Sequence, residues 1–174
     1  LTATGNSATP TYNGNIQSVS GFTVSGLQGN DTVAVLSTLI AGGATAKNAG
    51  SYPNTVSAGT EANYNVSPVN GSLRIAKANA TVTANSGTLT YNGADQTVSG
   101  FTASGLEGSE LATVLTGVNA SRTKKNAGTY ATTASGTDGN YNLTFVDGSM
   151  LINKAALTAT GNSATPTYNG NIQS

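Results

Sequence analysis

Short runs of alternating polar and apolar residues, bounded by Gly and Asn, recur along the chain, and this pattern is typical of β-strands. The first run, Leu1–Thr4, leads to the turn signal Tyr12-Asn13-Gly14. The next, Gln17–Gly26, has period two and directs Val19 and the Phe22 region toward a core, with a kink at the intervening glycine. The same two runs recur at Ala80–Ala84 and Gln96–Gly105.

One segment in each half of the chain breaks this alternation. Asn30 and Asp31 are favourable helix-start residues, and Val33, Leu36 and Ile40 follow at helical spacing. The counterpart has Ser109 and Glu110 followed by Leu111, Val114 and Val118. These segments predict a short helix of two turns, although Val and Thr also favour strands.

The last third of each half predicts β-structure again, with strands over Ser51–Ala58, Tyr64–Val69 and Ser72–Ala76 in the first half. Asn70-Gly71 separates the last two strands, and Asp147-Gly148 takes its place in the second half. Both dipeptides favour a two-residue type I′ turn, so the sequence predicts a β-hairpin at each. Pro68 lacks an N–H and predicts an edge strand or an unpaired position.

These signals belong to an internal duplication. Thr2–Gly29 and Thr81–Gly108 are identical at 19 of 28 positions, and Leu157–Ser174 repeats Leu1–Ser18 letter for letter, a period of 156 residues. We therefore predict β-rich domains over residues 1–78 (repeat 1) and 79–156 (repeat 2), then the start of a third, truncated repeat over 157–174. No Gly/Pro/Ser-rich spacer separates the repeats, so we expect a stiff string of modules.

The third copy, residues 157–174, has two interpretations. It belongs to a continuous array, which we favour, or it supplies a strand to repeat 2 or to a neighbouring chain by β-augmentation.

The predicted fold class is mainly β (α+β): tandem small β-rich domains, each a mixed sheet with one short helix in the style of a β-grasp. An immunoglobulin-like β-sandwich is the alternative, and a strand over residues 30–40 would favour it. A domain of under about 80 residues without disulfides buries only a modest core, so contacts between neighbouring repeats are expected to add stability.

Composition narrows the function classes. Seven Lys+Arg balance seven Asp+Glu and only 8% of residues are charged, so we expect no nucleic-acid partner. Cys and His are both absent, which removes disulfides, thiolate metal sites and imidazole bases. No apolar run approaches the roughly 20 residues that span a bilayer, so no direct membrane insertion is expected.

Catalytic candidates are weak. The many Ser and Thr hydroxyls lack a recognisable base, and we expect no enzyme, no catalytic residues and no cofactor. The closest carboxylate pair, Glu107 and Glu110, aligns with Gln28 and Asp31, so only one copy has both acids.

The charged residues present in both copies could in principle form a metal site or a covalent cross-link. Calcium prefers several carboxylates close together. The acids present in both copies are instead predicted to be a helix-start acid (Asp31, Glu110) and a turn acid (Glu61, Asp138). No metal site is therefore expected. A Lys–Asn isopeptide bond with Glu61 or Asp138 as proton shuttle would need a buried lysine among four recurring ones, Lys47, Lys125, Lys77 and Lys154.

Tyrosine is the residue type best suited to ligand contacts. All seven tyrosines belong to recurring sets: Tyr12, Tyr91 and Tyr168; Tyr52 and Tyr130; Tyr64 and Tyr141. Recurrence in every copy predicts a core or turn role rather than one specialised site.

The ordered motifs YNG, SGF, GL-x-G, NAG[ST]Y, NYN and [ND]GS-x-x-I-x-KA occur twice. In this order they resemble the MBG and YDG type tandem repeats of large bacterial surface adhesins, including filamentous-haemagglutinin-like exoproteins. The resemblance implies an extracellular protein of the bacterial cell surface, with no catalytic residues to transfer. We expect a stalk or spacer whose partners are neighbouring repeats and other copies in a filament or matrix. The alternative is a weak glycan- or host-protein-binding module that acts through avidity.

Overall fold

The computed structural model describes residues 1–172 and is built mainly of β-strands. Repeat 1 contains nine strands: β1 (Thr2–Gly5), β2 (Gln17–Val19), β3 (Phe22–Ser25), β4 (Ile40–Ala41), β5 (Ala44–Ala46), β6 (Gly50–Asn54), β7 (Val56–Ser57), β8 (Ser67–Val69) and β9 (Gly71–Ile75). Repeat 2 contains nine more: β10 (Ala78–Ala84), β11 (Gly87–Thr90), β12 (Gln96–Ser99), β13 (Phe101–Ser104), β14 (Val118–Lys124), β15 (Gly128–Thr132), β16 (Ala134–Gly136), β17 (Tyr141–Val146) and β18 (Gly148–Asn153). The predicted mainly β class is confirmed.

The first and last segments of each repeat lie side by side and run parallel. In repeat 1, β1 pairs with β8, and bridges from Ala8 to Leu73 and from Thr11 to Ala76 continue that pairing in the same register. In repeat 2, β10 pairs with β17 and β11 with β18, again in one register. Because both segments run in the same direction, the chain enters a repeat at one end and leaves it at the other.

The remaining pairings close a ring of strands. In repeat 2, β10 pairs with β13, β12 with β14, β14 with β16 and β15 with β18. Gly100, with φ of 87°, lies between β12 and β13, where the chain passes from pairing with β14 to pairing with β10. Repeat 1 has the equivalent pairs β1–β3, β2–β5, β4–β7 and β6–β9. Mutual pairing around the ring shortens the exposed sheet edges that favour aggregation.

The predicted hairpins at Asn70-Gly71 and Asp147-Gly148 are wrong. β8 pairs with β1 and β9 pairs with β6, so the chain crosses between sheets at Gly71 instead of turning back. Asn70 has no positive φ, which a type I′ turn requires. Glycine is needed here for space, because a Cβ at Gly71 would lie under 3.0 Å from the carbonyl oxygens of Gly5 and Asn6. Pro68 lies on the edge strand β8, as predicted.

The predicted two-turn helix is replaced by a single 3₁₀ turn in each repeat, at Val33–Val35 and Ala112–Val114. Val33 and Val35 are exposed, whereas Leu36 and Leu39 are buried beyond the turn. The apolar residues thus form no continuous stripe against a core, and an isolated short helix is unstable without one. Ile40 instead begins the short strand β4.

Three clusters of buried residues follow one another along the chain. The first contains Ala3, Leu36, Leu39 and Val56 of repeat 1. The third contains Val98, Met150 and Ile152 of repeat 2. The second joins the repeats, because it combines Leu73 and Ile75 of repeat 1 with Val82 and Leu115 of repeat 2. Each repeat therefore shares part of its core with its neighbour.

The described part of the third copy, residues 157–172, is exposed and contains no named strand. It therefore adds no strand to repeat 2, and that version of the β-augmentation hypothesis is wrong for these residues. Gln173 and Ser174 lie outside the described residues. Strand donation to a neighbouring chain stays a prediction.

Candidate functional site at the joint between the repeats

Only two residues, Ala76 and Lys77, separate β9 of repeat 1 from β10 of repeat 2. Backbone hydrogen bonds fix this connection on both sides. The Ala76 N–H donates to the Pro10 carbonyl, and the Ala78 N–H donates to the Asn140 carbonyl. The connection is therefore held by both repeats, and we call the contact region around it the joint.

At the centre of the joint, one carboxylate of repeat 2 binds two tyrosines. Tyr12 of repeat 1 donates its hydroxyl hydrogen to Glu110 Oε1 at 2.5 Å, and Tyr141 of repeat 2 donates to Oε2 at 2.7 Å. The two rings pack edge to face, with centroids 5.4 Å apart. Both tyrosines are 2% exposed. The arrangement combines apolar burial with two charge-assisted hydrogen bonds across the repeats.

The electrostatics of this cluster follow from its contacts. The hydrogen bond from Tyr12 is the main cause that lowers the pKa of Glu110. Partial desolvation raises this pKa, but the hydrogen bond from Tyr141 and the charge of Lys47, 4.0 Å away, lower it further. Burial raises the pKa of Tyr12, and the hydrogen bond to Glu110 adds to the increase. Burial likewise raises the pKa of Tyr141 to about 12. The cluster is therefore set to hold one ionised carboxylate between two neutral phenols.

Polar contacts surround the tyrosines. Asn140 Oδ1 accepts from the Ala49 N–H at 2.9 Å, and its Nδ2 donates to Asn48 Oδ1 at 3.3 Å. On another side, Lys77 Nζ donates to the Asp138 carbonyl at 2.6 Å. These bonds all join repeat 1 to repeat 2, so they restrict rotation at the joint as well as separation.

Because the repeats are similar, the residues that each repeat contributes to the joint have equivalents in the other repeat, and these equivalents lie away from the joint. In repeat 1, the Tyr64 hydroxyl donates to Asp31 Oδ2 at 2.5 Å and accepts from the Gln28 N–H. The Tyr141 hydroxyl of repeat 2 makes the same two bonds, to Glu110 and from the Glu107 N–H. In repeat 2, Tyr91 occupies the position of Tyr12 but is 38% exposed. A cleft of about 440 Å³ lies beside it, lined by Tyr91, Asn126, Ala127, Lys154, Ala155, Ala156 and Leu157.

The predicted roles of the recurring acids are partly confirmed. Asp138 is a turn acid, because its Oδ1 accepts from the N–H groups of Asn140 and Tyr141. Glu61 is not the predicted turn acid, because its carboxylate accepts from the N–H groups of Ser37 and Thr38 and from the Thr38 hydroxyl, far from its own turn. These bonds, led by the one from the hydroxyl, lower the pKa of Glu61. Asp31 and Glu110 are not helix-start acids, since their side chains bind tyrosine hydroxyls instead.

The lysines do not fit an isopeptide site. A buried lysine beside a buried carboxyl is the requirement, yet the four recurring lysines are exposed: Lys47, Lys77, Lys125 and Lys154. The isopeptide hypothesis is therefore wrong for the arrangement described. Across residues 1–172, no group of three acidic side chains is placed to hold a metal ion, and no helix is long and apolar enough to cross a membrane.

The core role predicted for the recurring tyrosines is confirmed for Tyr12 and Tyr141, which are buried, but not for Tyr91 and Tyr168, which are exposed. The sequence does not identify what buries Tyr12 and Tyr141. The sequence presents Glu110 only as half of a carboxylate pair with Glu107 or as a helix-start acid. The one available signal was that an acid recurs at this position, as Asp31 and Glu110, while a tyrosine recurs as Tyr64 and Tyr141.

Acid is expected to weaken the joint through Glu110. Its pKa is lower in the folded chain than the ordinary value of 4.5, so its contribution to stability is present above that value and is lost as the pH falls through the folded pKa. We expect Glu110→Gln to reduce the free energy of unfolding by about 1–2 kcal/mol at neutral pH. The difference from the wild type should shrink as the pH falls below 4.5 and disappear once the pH is below the folded pKa of Glu110.

Urea unfolding at neutral pH and at a series of pH values below 4.5 measures this effect. Glu107→Gln is the control, because it removes the same charge three residues away without touching the two hydroxyl hydrogen bonds to Glu110. A loss from Glu110→Gln that stays equal at every pH of the series would contradict the role of the ionised carboxylate.

The MBG domain family (YGX type) matches the chain twice, over residues 1–74 and 80–151. The chain therefore belongs to this family and consists of tandem MBG domains, as the ordered motifs indicated. No curated protein and no solved structure matches it.

Proposed function

We propose that the two repeats act as a stalk module, a stiff spacer within a long secreted adhesin or filament of the bacterial surface. The main supporting observation is the parallel pairing of first and last segments, which places chain entry and exit at opposite ends of each repeat. Repeats connected in this way extend in a line. A catalytic function has no comparable support.

The joint supports the stiffness that a spacer needs. Flexible linkers are long and rich in Gly or Ser, whereas here a two-residue connection passes between domains that share a buried cluster. The Tyr12–Glu110–Tyr141 contacts and the Asn140 hydrogen bonds fix the relative orientation of the repeats. Bending at the joint would break these bonds and expose apolar surface.

We further propose that each repeat is a β-grasp variant whose helix is reduced to a 3₁₀ turn. The support is the strand order, in which the first segment lies parallel to the last and antiparallel to the second. This order favours the β-grasp description over the immunoglobulin-like sandwich.

Family and composition support the extracellular location. MBG domains occur here in tandem, and the chain lacks cysteine, which suits long exported proteins. The proposed partners are neighbouring repeats and further copies in a filament or matrix.

The binding-module alternative requires an exposed aromatic and polar cluster present in both copies. Tyr12 is buried in the joint while its counterpart Tyr91 is exposed, so this position offers no such shared surface. The spacer is the better supported of the two functions. Glycan-array and mucin-binding measurements on the chain test the alternative directly, and silence in both would leave the spacer.

Small-angle scattering tests the stalk. The parallel pair of about ten residues gives each repeat a length of roughly 33 Å at about 3.3 Å per residue. We expect chains carrying one, two and three 156-residue blocks to increase in maximum dimension by a constant step of roughly 70 Å per block. A compact particle, or a dimension that rises with the square root of the block number, would show that the array is not a rigid stalk.

A further inference from the structure

We infer that the trailing face of repeat 2 and the leading face of repeat 1 are the two halves of a second joint, through which a second copy of the 156-residue block docks. The trailing face comprises Tyr91, Lys125, Asn126, Ala127 and Lys154, and the leading face comprises Asp31, Asn63 and Tyr64. This inference rests on the proposed stalk function and names the partner of its end faces.

The trailing face repeats the surface that repeat 1 buries in the existing joint. Lys47, Asn48 and Ala49 contact repeat 2 there, and Lys125, Asn126 and Ala127 have the same sequence in repeat 2. Tyr91 corresponds to Tyr12, yet its exposure is 38% instead of 2%. The cleft beside Tyr91 therefore lies where the existing joint places the partner repeat.

The leading face carries the matching acceptor. Tyr64 and Asp31 form the same hydrogen bond that Tyr141 forms with Glu110, and that bond is already in place without a partner. Asn63 is exposed at the position of Asn140, whose side chain makes two bonds across the existing joint. An incoming Tyr91 hydroxyl would meet the Asp31 carboxylate as Tyr12 meets Glu110.

Charge and order along the chain favour the same partner. Lys125 would approach Asp31 as Lys47 approaches Glu110 at 4.0 Å, so the two faces have opposite charges. The residues that follow the trailing face, Leu157–Ser174, have the sequence of Leu1–Ser18. The occupant is therefore a repeat of the repeat 1 type rather than an unrelated protein.

Disulfide trapping tests the second joint cleanly because the chain has no cysteine. The Asn48→Cys/Asn140→Cys chain is the positive control, since these side chains already lie within 3.3 Å in the existing joint. The test pair mixes full chains carrying Asn126→Cys with full chains carrying Asn63→Cys. The matched control mixes Asn126→Cys with Ser51→Cys, because Ser51 is exposed on β6 and pairs with Arg74, away from the leading face.

We expect the Asn126→Cys and Asn63→Cys mixture to form mixed disulfide at least about tenfold faster than the control mixture, because docking raises the local concentration of the two thiols. A second measurement places both cysteines in one chain with two complete blocks, Asn126→Cys in the first and Asn63→Cys in the second. There the bond should form within the chain, as in the positive control.

Failure of the two-block chain to form this disulfide, while the positive control forms, would overturn the inference. Scattering of the same two-block chain separates that result from failure of the stalk. Two straight blocks that hinge at their boundary keep the stiffness proposed within each block and reject the second joint, whereas blocks that are themselves collapsed reject both proposals.

Discussion

Tyr12→Ala is expected to lower the free energy of unfolding by about 3–5 kcal/mol, the range for truncation of a buried aromatic side chain. Tyr12 is 2% exposed, packs edge to face against Tyr141 and donates a hydrogen bond to Glu110. Its removal leaves a cavity in the shared cluster and deprives a largely buried carboxylate of a donor. Urea unfolding followed by circular dichroism measures the change.

The chain supplies a matched control at Tyr91, which lies in the same Tyr-Asn-Gly motif but is 38% exposed. Tyr91→Ala should cost less than about 1 kcal/mol, in the range of substitutions away from a packed core. Tyr12→Phe keeps the ring and should cost about 1–2 kcal/mol through the lost hydrogen bond alone. Equal effects of Tyr12→Ala and Tyr91→Ala would contradict burial in the joint.

Gly148→Ala is expected to destabilise repeat 2 by about 3 kcal/mol or more, because a backbone clash adds to the usual cost of overpacking. A Cβ at Gly148 would lie under 3.0 Å from the carbonyl oxygens of Ala84 and Asn85. Those atoms belong to the parallel partner segment, so the first and last segments would have to separate. Thermal unfolding by circular dichroism measures the loss.

Gly139→Ala provides the comparison, since a Cβ there meets nothing within 4 Å. Its effect should stay within about 0.5 kcal/mol. Should Gly148→Ala prevent folding altogether, Gly71→Ala tests the same crossing in repeat 1. Wild-type stability in both crossing variants would contradict the close approach of the segments.

Local signals predicted the strands well but not their partners. Period-two alternation placed Val19 and Phe22 toward the core, and both pack against buried clusters. The Asn70-Gly71 signal was misleading because glycine serves two different structural roles. It can supply the φ > 0 of a hairpin turn, or it can supply the space that a close crossing of strands requires, and the sequence does not distinguish the two. Pairing of β8 with β1 joins residues 65 positions apart, as in Thr2 with Ser67, and no local pattern specifies it.

For the joint, the sequence predicts only that neighbouring repeats contact each other and add stability. Tyr12 and Glu110 are 98 residues apart, and the motif around Tyr12 is nearly the same as that around the exposed Tyr91. What separates the two tyrosines is the presence of a packed neighbour. Recurrence predicts the same role for both tyrosines, so neither the burial of Tyr12 nor its partner Glu110 could be predicted without the three-dimensional arrangement.

The buried residue Asn54 also has hydrogen-bond partners that the sequence does not predict. Asn54 is fully buried, accepts from the Gly43 N–H and donates to the carbonyls of Asn6 and Gly21. The Asn54 side chain satisfies backbone groups near the gap between strands β4 and β5 of repeat 1. In repeat 2 the corresponding strand, β14, is continuous, and Thr132 occupies the position of Asn54. Nothing in the sequence around Asn54 indicates these three partners.

Tension along an array of these repeats would reach each one through its first and last segments. Because those segments are parallel and the chain leaves at the end opposite to its entry, a pull on the two ends slides them past each other in opposite directions. Their hydrogen bonds then resist shear together, instead of opening one after another as in a strand pair that is peeled apart. With only Ala76 and Lys77 between β9 and β10, the load passes almost directly from the last strand of one repeat to the first strand of the next.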